Sequence, residues 1–188
     1  MKPFYQGKID TFCAMYAVLN ALRITHGIRT LKAREIFNDT LMELAAHPEA
    51  LAAVLEQTTD YIALIDHMLE NCSKIMPLQI VYPFKKGEDV SVERFWETCH
   101  AWVNKEKNRT VIFRFMRFFD PLKDPVVRHW TTISTIDDAI LHLYDSSHDA
   151  ESIQNLTKTS FVTDRKNVTK ETTIYVQADT VRCIRLPF

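Results

Sequence analysis

The chain has 188 residues, a length that suits one domain able to bury its own core. Hydrophobic residues make up 46% and charged residues 25%, the balance of a soluble folded protein, which excludes the disordered and fibrous classes. Lys and Arg total 23 against 24 Asp and Glu, a net charge of -1, so the chain as a whole offers no basic field to nucleic acid or to an anionic membrane.

The first long apolar run, Thr11 to Leu22, carries no charge for twelve residues but contains Asn20. It is shorter than the roughly 20 residues of a spanning helix. The pattern predicts a helix buried on most of its circumference, continuing to about His26, with Asp10 or Thr11 as N-cap and Gly27 near the C′ position. Lys8 and Asp10 precede the run, and Leu22 to His26 offers no small-residue cleavage site, so a cleaved secretory signal is not expected. The expected location is the cytoplasm, or export without a cleaved N-terminal signal. Leu31 to Ala46, Pro48 to about Asn71 and Ser91 to about Lys105 carry apolar residues at helical spacing, with Pro48 suited to a first turn.

The second half changes character. Thr110 to Phe115, His129 to Ile136, Ala139 to Tyr144 and Val181 to Leu186 are β-branched or aromatic runs that predict antiparallel strands. Asp137-Asp138 reads as a hairpin connection, which would bring residues near 129 and 145 to the same end of neighbouring strands. Gly7, Gly27 and Gly87 fall at breaks and form no phosphate loop, and the polar stretch Ser146 to Lys170 reads as linker-like but internal. Helices followed by strands predict an α+β fold in a single domain, residues 1–188.

Four cysteines, Cys13, Cys72, Cys99 and Cys183, lack any CxxC pair, so free thiols are expected rather than a disulfide framework or a zinc ribbon. Cys13 is placed at the second or third position of the first helix, where unpaired N–H groups and the positive end of the dipole favour a thiolate. Asp10 opposes that effect, so activation needs an imidazolium, and His129 is the candidate. Taken alone, a cysteine on an apolar helix reads as a small buried hydrophobe.

The segment Gln6-Gly7-Lys8-Ile9-Asp10-Thr11-Phe12-Cys13-Ala14-Met15-Tyr16 sets a glutamine ahead of a helix-starting cysteine. Arg128-His129-Trp130-Thr131-Thr132 is followed by Leu143-Tyr144-Asp145-Ser146, a histidine opening one strand and an aspartate ending the next. These two blocks resemble the papain-like cysteine peptidases, and most closely their bacterial C39-like branch. Gln6 lies seven residues before Cys13 where many members have six, and Ala14 stands where a glycine is frequent. The resemblance implies a papain-like fold in which Cys13 is the nucleophile, His129 the general base and acid, and Asp145 the residue that orients the ring. It further implies that the Gln6 amide and the Cys13 N–H form an oxyanion hole. On this reading the protein is a thiol hydrolase that cleaves a peptide or isopeptide bond of a peptide or protein substrate through a thioester intermediate, no metal or organic cofactor is required, and neither nucleic acid nor membrane is a partner. With Cys13 this near the start of the sequence, no N-terminal inhibitory propeptide is expected, and no leader-peptide processing coupled to export is implied, since nothing here resembles the transporter ATPase that some C39 peptidases carry.

The same thioester chemistry serves a deamidase or an acyltransferase, and a non-catalytic interaction domain could keep the fold with its groove closed by Trp130 or the 114–127 loop. His142, His148 and Asp149 lack close zinc-ligand spacing. Cys99-His100, beside Trp96 and Trp102, reads as a packed helix face. Arg114-Phe115-Met116-Arg117-Phe118-Phe119-Asp120-Pro121 alternates basic and aromatic groups, as in a strand entering a loop, a single-strand-binding surface or the wall of a substrate groove.

Overall fold

The apolar run from Thr11 becomes the helix against which the sheet packs. The computed structural model describes residues 2–6, 11–147 and 153–187. Helix α1, Cys13–His26, buries Ala14, Met15, Ala17, Val18, Leu19, Ala21 and Leu22. Each of the larger of these side chains contributes about 1.5–3 kcal/mol of transfer free energy. The helix ends at Gly27, whose φ of 65° needs the freedom of glycine and lets its N–H reach the Arg23 carbonyl at 3.1 Å.

The start of α1 differs from the expectation. Phe12 is the N-cap and makes no side-chain cap bond. The Thr11 hydroxyl instead donates to the Val54 carbonyl at 3.1 Å, and Asp10 lies outside the described residues, as does Gly7. Cys13 is therefore the first helical residue rather than the second or third.

Helices α2, Thr30–Ala45, α3, Pro48–Leu55, α4, Tyr61–Ile75, and α5, Val92–Val103, follow. The single helix expected from Pro48 is two. Gln57 adopts a φ of 59°, which breaks the helical path, and the Asp60 carboxylate restarts it by accepting the N–H groups of Ile62 and Ala63.

The strands are β1, Gln79–Val81, β2, Arg109–Arg117, β3, Val127–Ile136, β4, Ile140–Leu143, β5, Asn155–Thr157, β6, Phe161–Val162, and β7, Ile174–Arg185. They form one sheet in the order β1-β7-β2-β3-β4-β5, antiparallel throughout, with β6 added parallel to β7. The architecture is α+β. Strand β7 begins well before the predicted Val181, because its register slips between the Ile112↔Arg182 and Arg114↔Gln177 pairs and interrupts the hydrophobic pattern. Strands β5 and β6 lie within the stretch that reads as a polar linker.

Side chains alternate across the sheet. Ile112, Trp130 and Ile184 join the core formed by α1 and α4, whereas Val111, Phe113, Phe115 and Cys183 join Phe95, Trp96 and Cys99 of α5. The helices thus cover both faces, and Cys99 is core as expected. Among the described residues no helix is long and apolar enough to cross a membrane.

Candidate active site

The β3–β4 hairpin sets the first half of the site. Asp137 closes its turn by accepting the N–H groups of Ala139 and Ile140 at 2.8 and 2.7 Å. Past β4 the ladder continues for one more bond, from the Tyr144 N–H to the Thr132 carbonyl at 2.6 Å. That bond seats Asp145 beside Thr131 and His129, on the same side of β3.

The Asp145 carboxylate is 2% exposed, and both its oxygens lie 3.0 Å from His129 Nε2. The Ser147 N–H donates to it at 2.7 Å, and the Thr131 hydroxyl donates to its second oxygen. Burial pushes the Asp145 carboxyl up, but the His129 charge and these hydrogen bonds outweigh it and hold it below the usual range. Burial likewise disfavours the His129 imidazolium, yet the Asp145 carboxylate, and then contact with the Cys13 side chain, raise the ring to about 10. With Nε2 turned to Asp145, Nδ1 is the ring nitrogen left to face Cys13.

These shifts have a consequence for stability. Asp145 is lowered, so its contribution is present above the ordinary carboxyl value of about 3.9 and lost as pH falls through the lowered one. His129 is raised, so its contribution is complete below about 6.5 and is lost as pH rises toward about 10. The urea midpoint is therefore expected to hold level from about pH 5 to 6.5 and then to fall, with the alkaline slope reduced in His129→Gln. Equal alkaline slopes in the two proteins contradict the ion pair.

The second half of the site is the N-terminus of α1 and the segment before it. As first helical residue, Cys13 has a backbone N–H without an acceptor inside the helix. Asn20, fully buried in α1, accepts the Phe4 N–H at 2.7 Å and donates to the Phe4 carbonyl at 3.3 Å, which pins the preceding segment along the helix. The Gln6 N–H then donates to the Ser146 carbonyl at 3.0 Å, and the Ser146 hydroxyl donates to Gln6 Oε1 at 3.1 Å. The amide oxygen is held at Ser146, so the amide nitrogen points elsewhere. Asn20→Leu leaves both Phe4 backbone groups unpaired and is expected to cost about 1–3 kcal/mol by urea unfolding, with faster hydrogen exchange at Gln6. An unchanged midpoint and exchange rate would show that Gln6 is held some other way.

Gln6, Cys13 and His129 line one open cleft of about 110 Å³, together with Thr11, Gln57, Tyr61, Arg114, Arg128 and Trp130. Asp145 stands behind His129. Gln57 and Tyr61 come from the α3–α4 break, so the central helices supply one flank of the cleft. The Tyr61 hydroxyl donates to the Val54 carbonyl at 3.0 Å. Burial, and then Cys13, push it up to about 12 against the effect of Arg114. Trp130 packs in the α1 core and leaves the cleft open.

The other sequence candidates lie apart. The His142 ring bonds Asn155 at 2.6 Å, and His148 and Asp149 fall outside the described residues. Phe115 and Phe118 are buried, so the basic-aromatic stretch gives the cleft Arg114 alone. Thr131, Ser146, Asn20 and Tyr61 are site residues that spacing did not single out. Asn20, an amide in an otherwise apolar helix, was the one visible signal. No protein-family model matches the chain, and no curated protein matches it.

Proposed function

We propose that the protein is a thiol hydrolase of papain-like arrangement that acts on a peptide or isopeptide carbonyl. The observation that carries this reading is one open cleft holding a cysteine at a helix N-terminus against a buried histidine already paired to a carboxylate. An imidazolium next to a thiol favours the thiolate, which is the nucleophile.

Asp145 accepts the Nε2–H of His129 and keeps the other ring nitrogen toward Cys13. The Cys13 sulfur attacks the carbonyl carbon, and the oxygen takes the charge, with the Gln6 amide and the Cys13 N–H as donors. The C–N bond breaks as His129 delivers its proton to the leaving nitrogen, which leaves a thioester on Cys13. His129 next removes a proton from water, whose oxygen attacks the thioester carbon. The C–S bond breaks, the acid departs, and thiolate and imidazolium are restored. If the leaving nitrogen is the side-chain amide of glutamine, the same steps deamidate it. If an amine replaces water, they transfer the acyl group.

The test is incubation of wild-type and Cys13→Ala protein with a diverse peptide mixture, followed by mass spectrometry. New chain ends that depend on Cys13 are expected. Conversion of glutamine to glutamate without new ends would shift the assignment to a deamidase. No Cys13-dependent change in any peptide would favour an interaction domain.

A further inference from the structure

The charge of the cleft is at odds with that of the chain. The protein is nearly neutral overall, but its cleft is lined by Arg114 and Arg128 and by no carboxylate among the described residues. Arg114 sits on β2 opposite Trp130, and Arg128 on β3 opposite Met116, so the two strands carry their guanidinium groups to one wall beside Cys13. Arg114 is half-buried, and its Nε is buried without a hydrogen-bond partner among the described residues. Arg128 is exposed at the rim and, among the described residues, donates only a long bond of 3.5 Å to the Pro125 carbonyl. Neither pairs with an acidic side chain among the described residues, although Arg109 and Arg182, buried elsewhere, each have one.

A guanidinium withdrawn from water without a carboxylate costs stability, and a second like charge nearby adds to the cost. The arrangement makes physical sense if a ligand supplies the anion. We infer that Arg114, with Arg128 at the rim, is an anion-recognition subsite, and that the acyl substrate carries a carboxylate next to the carbonyl that Cys13 attacks. The planar fork of arginine matches a carboxylate in two parallel bonds, which gives orientation as well as charge. The inference rests on the thiol hydrolase reading for its placement of the carbonyl. Two sources share this chemistry, an acidic side chain and a free C-terminal carboxylate.

The first test compares alkylation of Cys13 by iodoacetate and by iodoacetamide, which differ in one negative charge. Both consume the thiolate and release iodide, so the ratio of their rates cancels the thiolate fraction. That ratio is expected to exceed the ratio for the neutral thiol 2-mercaptoethanol by about tenfold at low salt, and to fall as salt is added. It should drop in Arg114→Gln, and less in Arg114→Lys, which keeps the charge but not the fork. A ratio equal to that of the free thiol overturns the subsite. The salt titration needs only wild-type protein, so the result does not depend on a variant folding.

The second test follows arginine Nε–H resonances by NMR while three isosteric probes are added: N-acetylglutamate α-amide, N-acetylglutamine and N-acetylglutamine amide. The first carries only a side-chain carboxylate, the second only an α-carboxylate and the third neither. A shift of the Arg114 resonance by one of the first two identifies the source. Equal shifts with all three, or none, overturn the subsite. Since this readout does not involve the thiol, an inert Cys13 with an intact carboxylate response would sink the hydrolase reading and leave the anion site standing.

Discussion

Asp145→Ala is expected to destabilise the fold by about 3–5 kcal/mol, the loss associated with removing one partner of a buried ion pair. The carboxylate is 2% exposed and accepts bonds from His129, Thr131 and Ser147. Alanine leaves the imidazole and a hydroxyl facing a void from which water is largely excluded. His129 is 7% exposed, so it has little water to turn to. Asp145→Asn separates charge from shape. Its carbonyl oxygen still accepts the Nε2–H, so it is expected to lose less stability than alanine while losing most of the imidazolium preference. Urea midpoints measured at pH 6, where the pair is intact, read the difference. A loss below about 1 kcal/mol for the alanine variant would mean that Asp145 is not the buried partner of His129.

The second large effect is on reactivity. His129→Ala is expected to slow alkylation of Cys13 by iodoacetamide at pH 6 by about 100-fold or more, because the thiolate is the species alkylated and an ordinary thiol of pKa about 8.5, with no imidazolium beside it, is almost wholly protonated at that pH. The variant also relieves Asp145 of its cation, so its folding must be checked by the same urea titration. His129→Gln keeps a hydrogen-bond donor toward Asp145 while it removes the ionisable ring, and is expected to show the same kinetic loss with a smaller cost in stability. Unchanged alkylation in a folded variant would remove His129 from the mechanism.

The parts of this structure that were legible in the sequence are those written in local periodicity. The uncharged run from Thr11 gave α1, the break at Gly27 gave its end, and the runs around Asp137-Asp138 gave the hairpin that carries His129 and Asp145 to one place. Other parts depend on tertiary context. The α3–α4 break turns on Gln57 in a left-handed conformation, with neither glycine nor proline to announce it. Strands β1, β5 and β6 have two or three residues each, too few for an alternating pattern to emerge. The N-cap differs because the Thr11 hydroxyl is drawn to Val54, a partner 43 residues away. Arg114 looked like part of a basic-aromatic alternation, and only pairing of β2 with β3 shows that it shares a wall with Arg128 and Cys13.

The burial of the remaining thiols also sets the right comparison for Cys13. Cys72, Cys99 and Cys183 are 3%, 0% and 1% exposed, and burial raises all three, to about 11 for Cys72 and about 12 for Cys183. They would react slowly for want of access alone. A small free thiol is the better standard, since it is fully accessible and almost wholly protonated at pH 6.

The most direct measurement of the central claim is therefore the iodoacetamide labelling rate of Cys13 in native protein from pH 5 to 9, followed by mass spectrometry beside N-acetylcysteine. An activated nucleophile predicts that Cys13 labels faster than the free thiol at pH 6, and that the advantage narrows as the free thiol ionises toward pH 9. A Cys13 that lags the free thiol at every pH would contradict the account.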